Sequence, residues 1–150
     1  MTRISNETEF RKALDGLDPV GQRLVAARFV ENVLALCSDE RIARVVQVAG
    51  NSETSEGELA EALKTARATT FDCHTRCGAE GDWSEQEGYI VARAATAALT
   101  PIGQMPGGPA WQAALSSRMA QTSQSIVSGD DTAGQEGNQQ YRILSEFLES

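Results

Sequence analysis

The sequence predicts an all-α protein, a compact bundle of about six to seven helices arranged as helical hairpins. Helix-start signals recur ahead of apolar stretches, apolar residues within those stretches recur at helical offsets, and glycines follow several of them. The start signals are Asp18 before Pro19, Ser55 with Glu58 at capping-box spacing, and Ser84 with Glu87 at the same spacing; the expected left-handed C-terminal caps are Gly50 and Gly78. A chain of 150 residues with this pattern is expected to form a single helical domain over 1–150.

Alanine dominates the apolar composition. The chain is 41% hydrophobic but only 5% aromatic, and 21 of its residues are alanine. Alanine has the highest helix propensity, and its small side chain lets helix axes approach closely. A core of closely packed helices is therefore expected, rather than one filled by large aromatic rings.

Three helices are predicted in the first third of the chain. A short helix over 6–14 ends before Gly16. The long helix 19–37 carries so wide an apolar stripe that it should be central and well buried. Ser38 can cap a third helix over about 39–49, whose valines and Ile42 form one apolar face.

Two helices follow in the middle of the chain, over about 56–77 and 85–99. The apolar offsets of the first form a stripe that ends in Cys73 and Cys77. The second is rich in alanine, and Pro101 cannot continue it.

The last third contains a loop, a helix and a tail. Residues 100–109 hold three prolines and three glycines and are predicted to be a loop before a helix over 110–127. Residues 128–135 are predicted to be a flexible linker, because Gly, Asp and Thr are frequent there. A C-terminal helix over 138–148 carries an apolar face and is expected to dock, either on its own bundle or on a second copy of the chain.

Charge and cysteine content restrict the class of protein. The net charge is −8 and the isoelectric point is near 4.6, which argues against nucleic acid as a partner and permits a basic protein partner. Three cysteines are an odd number in a chain too large to need disulfides, which favours a reducing compartment. No stretch has the apolar length of a membrane span, and the polar first residues do not resemble a signal peptide, so the cytoplasm is the expected location.

Cys73, His74 and Cys77 form the one cluster that suggests chemistry. The two thiols lie at i and i+4 on one helix face, whereas His74 points about 100° away from Cys73. A zinc site needs about four ligands, which this cluster does not supply. Core packing of both cysteines is therefore favoured, with a metal or redox site using these three residues as the alternative.

No other pattern indicates an enzyme or a cofactor. His74 is the single histidine, and no serine stands in a G-x-S-x-G elbow. Gly107-Gly108-Pro109 has no following lysine, unlike a phosphate-binding loop. No catalytic residues and no cofactor are predicted.

The order of motifs resembles the alanine-rich immunity proteins of the Imm5-like kind. The resemblance rests on the helix 29–36, on Asp39-Glu40-Arg41, on the helix that ends at Ala49, and on the E-L-x-x-A pattern that begins at Glu58. The alanines of 92–98 look like that family's next helix. Near the C-terminus, Glu136, Gln140, Leu144 and Leu148 resemble a terminal signature, in which Gln139 stands where the family has tryptophan. The resemblance implies an all-helical, toxin-neutralising binder without a cofactor.

The leading hypothesis is a small protein that binds another protein, with a basic toxin as the partner implied by the resemblance. Exposed acids near helix starts would supply charge complementarity, with tryptophans as anchors. The partner-binding residues predicted from the sequence are Trp83, Glu85, Glu87 and Trp111. An enzyme or ligand-binding protein that uses the Cys73 cluster, and a helical scaffold or homodimer subunit, remain the alternatives.

Overall fold

The all-α prediction is confirmed. The computed structural model describes the backbone of residues 4–80, 83–101, 103–128 and 133–149, and the side chains of 4–75, 87–101, 103–122 and 138–149. Within these ranges every regular element is helical, and the chain forms a bundle of seven α-helices and one short 3-10 helix. The α-helices are α1 (Glu7–Asp15), α2 (Pro19–Glu31), α3 (Glu40–Ala49), α4 (Glu56–Glu80), α5 (Trp83–Leu99), α6 (Gly108–Ser128) and α7 (Ala133–Glu149); the 3-10 helix is Leu34–Leu36.

Side-chain caps fix the starts of the first helices. The Asp18 carboxylate accepts a hydrogen bond of 2.7 Å from the backbone N–H of Gly21, and Pro19 occupies the first turn of α2. Ser55 and Glu58 form the predicted capping box, because the Ser55 Oγ accepts from the Glu58 N–H at 3.1 Å. The Glu58 carboxylate in turn accepts from the Ser55 N–H at 3.4 Å. These local bonds satisfy backbone donors that helix starts leave open.

The predicted long helix 19–37 is interrupted. Helix α2 ends at Glu31, Asn32 is its C-cap, and Leu34–Leu36 forms a 3-10 helix instead. The Asn32 amide donates a hydrogen bond of 2.6 Å to the Gln139 Oε1 of α7, while Val33 is 1% exposed. The turn thus gains a distant partner and still buries its valine, which is why the apolar periodicity continues past the end of the helix.

The predicted left-handed conformation of the glycine caps and the second capping box are wrong. Gly50 is the C-cap of α3 but has an ordinary φ of −83°, and Gly78 lies inside α4. Ser84 lies within the first turn of α5 rather than before it. A Cβ on Gly50 would lie 3.5 Å from the Ala27 Cβ, which is ordinary van der Waals contact, so neither the backbone nor the packing requires glycine at this position.

Left-handed glycines occur instead where the chain enters α6, at the last loop residue and the first helical residue. Gly107 and Gly108 have φ of +77° and +85°. A Cβ on Gly107 would lie 2.5 Å from the Trp111 ring, and one on Gly108 would lie 2.7 Å from the Gln22 Oε1. Both positions therefore combine a positive φ with a close approach, which together exclude larger residues.

Helix α5 is the centre of the bundle and packs against α4 and α6, with α2 also in contact. Its interior faces are built from small residues, because Ala92, Ala94 and Ala98 are at most 2% exposed. Between α4 and α5, the hydroxyls of Thr70 and Thr96 lie 3.1 Å apart, and each also reaches a carbonyl of its own helix. Small side chains thus set the close packing that the alanine content indicates.

Helix α7 packs on α6 and α2. Its Gln140 and Leu144 side chains are fully buried, and its Ser145 Oγ accepts a hydrogen bond of 3.0 Å from the Ile4 N–H. Residue 128 belongs to α6 and residues 133–135 to α7, while 129–132, the remainder of the predicted linker, lie outside the described residues. None of the described helices is long and apolar enough to cross a membrane.

Candidate protein-binding surface

The structure separates the members of the cysteine–histidine cluster. Cys73 is 4% exposed and belongs to the interior, as the sequence predicts. His74 is exposed, and its ring lies 5.1 Å from the ring of Tyr89 on α5. The Cys77 side chain lies outside the described residues. In the described part of the chain, no three His, Cys, Asp or Glu residues come together as a metal site.

Trp111 lies at a junction of aromatic rings rather than on open surface. Its half-buried ring is 6.2 Å from the ring of Phe10, and the Arg11 guanidinium covers it at 4.5 Å. Phe10 also contacts Phe29 and Tyr141, at ring distances of 5.7 and 5.4 Å. The aromatic ring that the sequence suggests as a partner anchor thus contributes to the packing of α1 on α6.

Arg118 joins three helices at the same junction. Its guanidinium donates two hydrogen bonds to the Glu7 carboxylate, at 2.8 and 2.9 Å, and one of 2.7 Å to the buried Gln140 Oε1. The same group lies 5.2 Å from the centre of the Phe10 ring. Desolvation by burial, followed by the negative charge of Glu7, raises the pKa of the neighbouring Tyr141 hydroxyl. Helices α1, α6 and α7 are therefore held together by charge-assisted hydrogen bonds around an aromatic centre.

The remaining predicted contact residues are not on a described surface. Glu87 is 7% exposed, so it lies in the interior, against the expectation of an exposed acid. Helix α5 begins one residue before Ser84, and this places Glu87 within the helix on its packed side. The side chains of Trp83 and Glu85 lie outside the described residues.

An acidic surface forms at the start of α4. Residues 50–63 contain four acids and no Lys or Arg, and all four acids, Glu53, Glu56, Glu58 and Glu61, are exposed. None of these carboxylates forms an ion pair within the described part of the chain. Glu58 serves the capping box, and Glu56 in the first turn of α4 complements the helix dipole while its carboxylate stays exposed. Several negatively charged carboxylates are therefore exposed to solvent within this short segment.

An apolar groove lies beside this acidic surface. It has a volume of about 430 Å³ and lies between the starts of α2 and α4 and the end of α5. Val20, one of its lining residues, is 43% exposed. The main apolar lining residues are Pro19, Val20, Leu59, Leu63, Leu99 and Pro101. Glu56 belongs to both the groove and the acidic surface.

Among the described residues, the cation that lines the groove is already bound to backbone carbonyls. Arg23 donates hydrogen bonds of 3.0 Å to the Ala49 carbonyl and 2.9 Å to the Asn51 carbonyl, where α3 ends. The negative end of the α3 dipole stabilises the positive charge of the guanidinium. Among the described residues that line the groove, Glu56 is therefore the charged side chain that remains available to a partner.

A second ion-pair centre holds the start of α3 against α4. Arg41 donates to Asp39 at 2.8 Å and to Asp72 at 3.0 Å. The hydrogen bond to Asp39, and then the one to Asp72, raise the pKa of the Arg41 guanidinium further above its already high value. This arrangement keeps Arg41 charged and has a structural role.

Sequence reasoning missed the groove. Its lining comes from four separated segments, and no periodicity relates them along the chain. The signal that could have been used was Val20, because a valine in the first turn after Pro19 lies off the predicted buried stripe of α2.

Comparisons with known proteins gave no relative: no protein-family profile matches the chain, and no curated protein or solved structure is significantly similar to it.

Proposed function

We propose that this chain is a protein-binding protein of the immunity type, which neutralises a basic toxin by covering part of its surface. The observation that carries the proposal is the acidic surface at the start of α4 beside an apolar groove. Concentrated charge speeds the encounter with an oppositely charged partner, and apolar contacts then slow dissociation. The net charge of −8 supports the same direction of attraction.

The metal or redox alternative has less support. Cys73 is buried while His74 is exposed and beside Tyr89, so the two side chains do not converge on one ligand position. A metal or a substrate would need both groups directed to one point.

The test pairs the intact chain with the basic protein encoded nearest to its gene. Co-expression should protect the host cell from that protein, and the purified pair should associate more slowly as salt is raised. The informative variant replaces Glu53, Glu56 and Glu61 with Gln and spares Glu58, because Glu58 caps α4. Its association rate constant should fall about tenfold.

A matched control replaces three exposed acids elsewhere, Glu31, Glu146 and Glu149, with Gln. Net charge changes by the same amount, so a specific surface predicts a smaller loss in the control. Equal losses in both triple variants would show attraction by net charge alone. Absence of protection together with absence of binding would refute the proposed function.

A further inference from the structure

We infer that the groove between α2, α4 and α5 binds one face of an amphipathic basic helix, with leucine-sized side chains inserted between the helices and Lys or Arg beside Glu56. This inference rests on the proposed function and specifies the part of the partner that is recognised.

The volume and shape suit apolar side chains of a protein segment. About 430 Å³ is the lower part of the range of ligand sites in proteins. Leu59 and Leu63 are four residues apart on α4 and half-buried, so they form a ridge along the groove. A ridge of this spacing is complementary to side chains at i and i+4 of a second helix.

The charge at the rim selects a basic helix over an acidic or neutral one. Glu56 lines the groove and makes no hydrogen bond or ion pair with any other part of the described chain. Glu61 lies on the other side of α4, where it faces α3 and Arg44, so Glu56 is the acid that the groove itself presents. Arg23 is bound to the carbonyls at the end of α3. A partner helix with a cation beside its apolar face would therefore meet opposite charge at Glu56.

The experiment uses a defined probe with the intact chain. The probe is a synthetic 14-residue peptide, about four helical turns, of Leu and Lys arranged with all leucines on one face. Two peptides serve as comparisons: the same composition scrambled so that the leucines no longer share a face, and a Leu/Glu version of the first pattern. We expect binding by the amphipathic Leu/Lys peptide and much weaker binding by the other two, measured by fluorescence anisotropy.

A groove-filling variant locates the site. Ala60 is exposed and lines the groove, so Ala60→Trp fills it without disturbing the core. Ala68 is exposed two turns further along α4 and does not line the groove, so Ala68→Trp is the matched control. Ala60→Trp should weaken binding of the probe at least about tenfold, and Ala68→Trp by less than about twofold. Glu56→Gln should weaken it about threefold, against no change for Glu146→Gln.

The melting temperature of each variant is measured first, so that loss of binding is compared only between folded proteins. Equal binding by wild type and Ala60→Trp would overturn the assignment of the groove. Equal binding of the scrambled or Leu/Glu peptide would overturn the choice of partner, and so would the absence of any binding. Protection by the intact chain that survives Ala60→Trp would overturn the inference and leave the proposed function standing.

Discussion

Two regions of this bundle are held together by different means. At the junction of α1, α6 and α7, large rings and the Arg118 guanidinium interlock, with Phe10 fully buried at the centre. Between α4 and α5, small residues allow close approach, and Phe71 is 69% exposed on the outer side. The first region depends on the shapes of large groups and the second on the absence of large groups. Opposite kinds of substitution should therefore damage them.

Removal of the central ring should have the largest effect. Phe10→Ala deletes a side chain that contacts Phe29, Tyr141 and Trp111, and it should lower the free energy of unfolding by about 3–5 kcal/mol in urea titration. The matched control is Phe71→Ala on the exposed side of α4, which should change it by less than about 0.5 kcal/mol. Similar losses at both positions would contradict the contrast between the regions.

The second largest effect on stability should come from removing the Arg118 guanidinium at the junction of α1, α6 and α7. Arg118→Met keeps much of the aliphatic length but removes the hydrogen bonds to Glu7 and to Gln140, and we expect a loss of about 2–3 kcal/mol. Most of this comes from the bond to the buried Gln140, because Glu7 is 46% exposed and its pairing is screened by solvent. Arg67→Met on the exposed face of α4 is the control and should be nearly neutral. A neutral Arg118→Met would mean that the rings alone hold the junction.

The reverse substitution should damage the packing of α4 on α5. Ala92 is fully buried on α5, one turn before the Thr96 that meets Thr70 of α4, so Ala92→Leu must displace neighbouring helices and should cost about 1–3 kcal/mol. Ala68→Leu on exposed α4 tests whether leucine itself is harmful there, and it should be close to neutral by the same denaturation measurement. If Ala92→Leu is tolerated as well as Ala68→Leu, the close packing of α4 on α5 is not required.

The smallest expected effect is a pH dependence at the junction. The pKa of Tyr141 is raised in the folded protein, so its contribution to stability is complete below the ordinary tyrosine pKa of 10.0 and is lost as pH rises through the folded value. Wild type should therefore lose more stability than Tyr141→Phe between pH 9 and about 11. Parallel stability curves for the two proteins would rule out this contribution. The same comparison at pH 7 gives the cost of removing the hydroxyl.

The starts of α2 and α4 could be predicted from the sequence because their signals are local, whereas the cap of α3 is Asp39 rather than the predicted Ser38. Asp18 and Ser55 bond to backbone groups three residues away, and both caps form as expected. The end of α2 could not be predicted, because Asn32 bonds to Gln139, a residue 107 positions away. Apolar periodicity continued through the turn and gave no sign of it. A cap formed by a nearby side chain can be recognised in the sequence, whereas a hydrogen bond between residues far apart in the chain cannot.

The candidate site was less predictable than the fold for the same reason. Trp111 stood out by residue type, but its neighbour Phe10 is brought to it only by the packing of α1 on α6, whereas Arg118 lies two turns further along the same helix. Glu87 matched a capping pattern and proved to be buried, because spacing alone does not tell which side of a helix faces the bundle. Cys73 was predicted correctly, since its offset placed it on a long, consistent stripe.

The threonine contact between α4 and α5 has a consequence for proton arrangement. The Thr70 and Thr96 hydroxyls lie near each other and near the carbonyls of Ala66 and Ala92, but the two groups carry only one hydrogen each. Both hydrogens can go to the carbonyls, or one can bridge the hydroxyls while the other stays on its own helix. The arrangements have similar partners and interconvert by rotation of one C–O bond. The two hydroxyl hydrogens at this interface therefore have more than one allowed arrangement, even though the heavy atoms around them are closely packed.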